Sequence, residues 1–302
     1  MSIKSSVTIP KSSVFLRFRQ WFSHWLSEWA PALPLLFIAF ALLVAPIAWM
    51  IVRSFFNDAG AFTLENWIKT FSSKADQQAI ITSLKLAATC ATISLTVGGP
   101  LAWIISQMTS VPRSTWLALF NVVTNFGGIG LAFAYIATLG TLGMVTLALK
   151  QINAPFAPPA PGTFWGLVIA YEYSNIPLFV LLTLPAMGIL KKDWWEAAQT
   201  ASATRGQFWR MVGLPILFPF LGAGWLLIFT WAIGMYALPF ALSGAAYSGK
   251  IRLITLQMAL ALQRSFTGPG EVAVLAVVLL VIASTSLLAY RYLLRRAVRW
   301  AS

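Results

Sequence analysis

Few residues in this 302-residue sequence are equipped for chemistry, and the most telling of them stand inside apolar runs. Glu172 is the one acidic residue deep in such a run, and at about 100° per residue Tyr171 and Asn175 share its helix face. A carboxylate there costs about 2.5 to 3.5 kcal/mol on insertion scales unless it is paired or hydrated. It therefore needs a passing ligand, a structural pair with Lys85, or a proton. Pro177 has no N–H, so the carbonyl of Tyr173 loses its helix partner and a kink is expected. Aromatic neighbours favour a cation at such a point. In a second run Asn121, Thr124, Asn125 and Gly128 recur at i, i+3, i+4 and i+7. That stripe suits either a polar pathway or hydrogen bonds between helices. Trp231 and Tyr236 add to the pathway set from a third run.

Bond-breaking chemistry has little to work with. There is no HExxH, no GxSxG and no pair of intramembrane carboxylates, so an enzyme is not expected. Cys90 is the sole cysteine, which excludes a disulfide or a cysteine-based metal site within one chain. Gly244, Gly249 and Lys250 satisfy G-x-x-x-x-G-K, but Ile251 stands where a nucleotide loop needs a hydroxyl for magnesium. No cofactor is expected in this chain, and ATP, if used, must be bound by another subunit.

The elements that position these residues are apolar helices. Hydrophobic residues make up 59% of the chain and charged residues 10%, and mean hydropathy is +0.77; a soluble domain carries roughly a quarter charged residues. Six runs, at about 31–53, 82–107, 115–139, 163–189, 214–240 and 271–293, reach the roughly 20 residues that a spanning helix needs. They are continuous and not alternating, which excludes a β-barrel and predicts an all-α membrane protein with six transmembrane helices. The net charge of +13 lies beside these runs, where topology and not nucleic acid accounts for it.

Six spans put both termini on one side. With that side as the cytoplasm, the inner segments hold 13 basic residues: Lys4, Lys11, Arg17, Arg19, Arg113, Lys191, Lys192, Arg205, Arg210, Arg291, Arg295, Arg296 and Arg299. The outer segments hold seven, Arg53, Lys69, Lys74, Lys150, Lys250, Arg252 and Arg264. Cytoplasmic termini are the expectation. The first apolar run begins about thirty residues in and has full span length, so it reads as a retained span and not a cleaved leader. Ahead of it Phe18, Trp21, Phe22, Trp25 and Trp29 recur at helical spacing, with Arg17, Gln20, His24 and Glu28 on another face. Residues 1–30 are thus expected to form a cytoplasmic segment with an interfacial amphipathic helix against membrane lipid, and 31–302 a single transmembrane domain. Pro155, Pro158, Pro159 and Pro161 mark an extended outer linker.

The longest inner segment, 190–215, reads LKKDWWEAAQTASATRGQFWRMVGLP. Asp193 with Glu196, and Thr204 with Gln207, have capping-box spacing and predict two short helices separated near 203–206. Ala197, Ala198 and Ala201 leave a small-residue surface, and Trp194 and Trp195 add large apolar contact area. Either another protein docks there, or the segment is a hairpin packed on its own bundle.

This segment resembles the EAA loop of permease subunits in type I ATP-binding-cassette importers: EAA, three residues, Gly, nine residues, Ile, any residue, Leu-Pro. Glu196, Ala197 and Ala198 supply EAA, and Leu214 with Pro215 supply the closing pair. Ser202 stands in place of the Gly and Val212 in place of the Ile. The first change implies that the turn no longer needs a glycine-only backbone angle, or that the turn has moved to Gly206. Thr82, Ser83 and Leu84, followed by an Ala-rich span, extend the resemblance over roughly 80–295. IPLFVLLTLPAMGIL and YALPFALSG most resemble the polyamine, ferric-iron, thiamine and phosphonate group. The family implies a second permease subunit, identical or paralogous, two cytoplasmic ATPase subunits that bind ATP, and an extracytoplasmic solute-binding protein. It further implies a bacterial inner-membrane location and import of a small polar solute by alternating access. A polyamine or other organic cation is favoured through Glu172. The rival expectation is a stand-alone secondary transporter with Glu172 as an ion or proton relay, against which stands the lack of an inverted repeat.

Overall fold

The computed structural model describes residues 31–57, 60–243, 251–264 and 269–298. The expected interfacial helix in 1–30 and the Gly244, Gly249 and Lys250 motif lie outside them. The chain divides into two units, Met1–Arg53 and Ser54–Ser302. Helix α1, Leu33–Ser54, opens with Pro34 in its first turn and widens to a π-turn over Phe40–Val44 just before Pro46. Leu35, Phe37 and Leu42 are exposed, as suits a span whose solvent is lipid.

The second unit is helical, and its described residues contain no strand, only an isolated bridge between Phe56 and Phe62. Its helices are α2 (Glu65–Ser72), α3 (Lys74–Ser106), α4 (Ser110–Asn125), α5 (Gly128–Leu139), α6 (Met144–Gln151) and α7 (Phe164–Met187). They continue as α8 (Lys192–Thr200), α9 (Arg205–Gly234, with a π-turn over Trp209–Gly213), α10 (Ala237–Ser243), α11 (Ile254–Arg264) and α12 (Pro269–Val298). Among the described residues six segments are long and apolar enough to cross a membrane: α1, α3, Gly128–Gln151, α7, α9 and Gly270–Arg295.

Start signals act where spans begin. Ser73 Oγ accepts the Asp76 N–H at 3.3 Å to cap α3, and Thr163 Oγ1 accepts the Gly166 N–H at 3.2 Å to cap α7. Two boundaries depart from expectation. The run 115–139 is two helices, α4 and α5, because the Gly127–Gly128 pair interrupts it and Gly128 takes φ +65°. The fifth span starts at Arg205 and ends at Gly234, and Met235 adopts extended backbone before α10. Helix α7 runs as one element through Pro177 and Pro185.

The core follows α3, α7 and α9. Ser94 of α3 meets Glu172 of α7, and Gly98 lies against Phe179, so these two spans run parallel; Gly224 of α9 meets Phe179 and Thr183. A Cβ on Gly98 would come 2.9 Å from Phe179 Cδ1, and one on Gly224 would come 3.0 Å from Cε2 of the same ring. Phe179 is wholly buried between two glycines of two different helices. Gly222 faces Leu293 of α12, and nothing lies within 4 Å of a Cβ at Gly234. The close approaches that Gly222 and Gly224 permit are therefore within this chain. Polar contacts add to the packing: Trp225 Nε1 donates to Thr92 Oγ1 at 3.1 Å, and Thr230 Oγ1 donates to Ser286 Oγ at 2.8 Å.

Candidate functional site

Segment 190–215 holds one short helix, α8, and the opening turns of α9, so the second of the two short helices expected there is the start of the fifth span, which the backbone continues without a break from Arg205. Helix α8 begins after Lys191, so Asp193 lies inside its first turn and no Asp193–Glu196 capping box forms. Glu196 instead approaches Lys192 at 3.9 Å, an exposed i, i+4 pair of small worth. The second box is present: Gln207 N–H donates to Thr204 Oγ1 at 3.3 Å and Thr204 N–H to Gln207 Oε1 at 2.8 Å. Trp194, Glu196, Ala197 and Ala201 are exposed, while Trp195 and Ala198 are half-buried.

Between the helices Ser202 takes φ +57°. Its N–H donates to the Gln199 carbonyl at 2.9 Å, and the Ala203 N–H donates to the Ala198 carbonyl at 2.9 Å. These two bonds form a Schellman motif with serine at its left-handed position. The expectation that the serine frees this turn from a glycine-type angle is corrected. The angle is kept, Gly206 has no positive φ, and the serine bears the strain. Ser202→Gly is expected to stabilise the end of α8 by about 1 kcal/mol. That corresponds to roughly fivefold slower amide exchange across Ala197–Ala203. Equal or faster exchange in the variant would rule the strain out.

The Glu172 cluster is a second candidate. Tyr171 and Asn175 are wholly buried and Glu172 is 8% exposed, all within the packing of α3 on α7. Ser94 Oγ donates to Glu172 Oε2 at 2.8 Å, and the Cys90 thiol lies beside the carboxyl. Lys85 is exposed and does not pair with Glu172; the structural partner is Ser94. Tyr171 Oη, Glu172 Oε1 and both amide atoms of Asn175 have no hydrogen-bond partner among the described residues. The contributions of Cys90 and Ser94 were missed in the sequence, although their i, i+4 spacing in an apolar span put two polar groups on one face.

The polar stripe of α4 stays open. Asn121 and Asn125 are exposed and Thr124 half-buried, and their side chains donate to carbonyls of their own helix: Asn121 to Leu117 at 2.8 Å, Thr124 to Asn121 at 3.1 Å, and Asn125 to Asn121 at 2.7 Å. The stripe therefore makes no hydrogen bond to another described helix. Trp231 is exposed near the far end of α9, and Tyr236 is exposed in the break between α9 and α10.

No protein-family model matches the chain. Its fold is that of a permease in a solved bacterial ABC transporter involved in import of the acidic polysaccharide alginate, with TM-score 0.67 and 18% identity, covering 91% of this chain and 99% of that one. Among curated proteins it is 32% identical over 199 residues to the sulfate transport system permease protein CysT of Salmonella typhimurium, covering 64% of this chain and 68% of the relative. The chain belongs to the permease subunits of type I ATP-binding-cassette importers. It is 27% identical over 219 residues to the molybdenum transport system permease protein ModB of Mycobacterium tuberculosis, covering 70% of the permease and 78% of that protein. To the spermidine/putrescine transport system permease protein PotB of Escherichia coli it is 26% identical over 193 residues, covering 61% and 67%. The permease is thus a multi-pass inner-membrane transport protein and not an enzyme. Membership in this family sets aside the stand-alone secondary transporter.

Proposed function

We propose that this permease forms half of the translocation pathway of an importer driven by two cytoplasmic ATPase subunits and fed by an extracytoplasmic solute-binding protein. Its docking surface is segment 190–215, with Trp194, Trp195, Glu196, Ala197 and Ala198 on α8, Ala201 at its C-cap, the turn at Ser202 and Gly206, and Leu214–Pro215 in the first turns of the fifth span. The observation that carries this reading is α8 itself: a short helix closed by a Schellman turn, presenting an exposed small-residue face beside exposed aromatic area. ATP is bound by the partners and not by this chain. Both termini are cytoplasmic, residues 1–30 form an interfacial segment, and 31–302 is one transmembrane domain.

Asn121, Thr124, Asn125, Trp231 and Tyr236 line the pathway, supported by the exposure of all but the half-buried Thr124 on one chain, where a second permease copy or paralogue completes the wall. All five are neutral donors and acceptors, which suits a small polar solute whose charge the binding protein selects. A preference for a polyamine rests on Glu172, and that carboxyl is buried against Ser94 on the α3 side of α7. The named solutes of the relatives, sulfate, molybdenum and spermidine/putrescine, include both signs of charge.

Native mass measurement of the purified complex tests the assembly. Two permease chains and two ATPase chains are expected. A single permease chain that retains ATPase activity stimulated by the loaded binding protein refutes the pairing, and a complex without ATPase chains refutes the docking role.

A further inference from the structure

Four aromatic rings connect the docking segment to the bundle. Trp195 of α8 meets Phe208 at 5.3 Å and 72°, Phe208 meets Trp209 at 6.3 Å and 78°, and Trp209 meets Trp103 of α3 at 4.8 Å and 85°. All three contacts are edge-on, the arrangement in which ring quadrupoles attract. Phe208 is buried, and the other three rings are half-buried. Trp103 and Trp209 pack on the apolar cluster formed by Ala102, Ile105, Val180 and Leu217.

Trp209 is held from a further side. It opens the π-turn Trp209–Gly213, in which the Leu214 N–H donates to the Trp209 carbonyl. A π-turn adds a residue to the helical turn, and such insertions are frequent at functional sites. Its effect here is to lay the indole over Gly213, where a Cβ would come 2.6 Å from Cε3 and 3.1 Å from Cζ3. Position 213 is among those that the EAA pattern leaves open, yet in this chain the Trp209 ring occupies the space of any side chain there.

We propose that Trp209 is a positioning residue for transport: clamped by Gly213 and Phe208, it carries displacement of segment 190–215 to the inner end of α3 through Trp103. This rests on the reading of 190–215 as the ATPase-docking segment. Close-packed rings of low compressibility pass a displacement on instead of absorbing it. Helix α3 is in turn bonded at its middle to α7 by Ser94 and to α9 by Thr92, so movement of its inner end reaches both.

The experiment places spin labels at Gln107 and Gln199, exposed positions at the end of α3 and on α8, in the complete complex with its ATPase subunits. Cys90 is buried and does not compete for the label. Distances are measured without nucleotide and with ATP plus vanadate. In the parent protein the 107–199 distance is expected to hold one narrow distribution in both states. Trp209→Leu should widen it about twofold, Trp209→Phe should restore it by keeping a ring, and Trp103→Leu added to Trp209→Leu should change nothing further. Gly213→Ala, which displaces the indole without removing it, should widen the distribution as well and covers the case in which Trp209→Leu does not assemble. A distribution that stays narrow in Trp209→Leu or in Gly213→Ala overturns the proposal, as does independent widening by the two tryptophan changes. Cross-linking from Ala197→Cys to the ATPase reports on the docking reading separately: its failure overturns that reading, whereas an intact cross-link with unmoved distances overturns only the role of Trp209.

Discussion

Ala197→Arg is expected to lower uptake by tenfold or more while the bundle remains folded. Ala197 is exposed on α8, so the new side chain meets no neighbour within its own chain. Arginine is close to alanine in helix propensity, and the local cost is a few tenths of a kcal/mol at most. What the substitution does add is a long charged side chain on a surface that, on our reading, is covered by an ATPase subunit. Burying an unpaired charge in an interface costs several kcal/mol, and about 1.4 kcal/mol of lost docking already corresponds to tenfold. Uptake, membrane level and recovery of ATPase chains with the permease are measured together. Uptake and recovery should fall in parallel with the membrane level unchanged. Normal uptake by a correctly inserted variant would sink the assignment of α8.

The second large effect is expected at Phe179. Lipid is as apolar as the ring, so burial from water does not hold these helices together; close packing does. Phe179 fills the contact between Gly98 of α3 and Gly224 of α9, and the two glycines let both backbones approach it. Phe179→Ala opens a cavity at the junction of three spans, for which core substitutions of this type cost about 3 to 5 kcal/mol. Gly98→Val acts in the opposite way, driving methyl groups into a ring that has no room to swing, at about 1 to 3 kcal/mol. Thermal unfolding in detergent should show both variants well below the parent. Gly222→Ala meets only the end of a leucine, and Gly234→Ala meets nothing, so these two should melt like the parent. A parental melting curve for Gly98→Val would show that the contact is not tight.

Span number and fold class were legible in composition and run length, because a bilayer demands about 20 apolar residues per helix whatever the tertiary arrangement. The family was legible in the register from Glu196 to Pro215, a pattern of residue types at fixed spacing that survives two substitutions. The Thr204–Gln207 cap was legible because both partners are three residues apart and the bond is local. The Asp193–Glu196 box looked equally good in sequence and did not form, since the helix begins two residues before the position that box requires. The interruption at Gly127–Gly128 was hidden by an apolar run that continues on both sides of it.

Only the tertiary structure decided what faces Glu172. Periodicity placed Tyr171, Glu172 and Asn175 on one face, but a helix face does not say whether it looks into a pathway or into the next helix. The neighbour proved to be α3, with Ser94 as the bonded partner 78 residues away in sequence. The same limit applies to Gly213 and Trp209. Their contact arises from a π-turn, in which the ring of one residue takes the space of another four positions on, and residue types at helical spacing carry no trace of it. Local patterns specify helices, caps and motifs because their interactions close within a few residues. Contacts between spans depend on rotation, depth and register of whole helices, which are fixed by how they pack together.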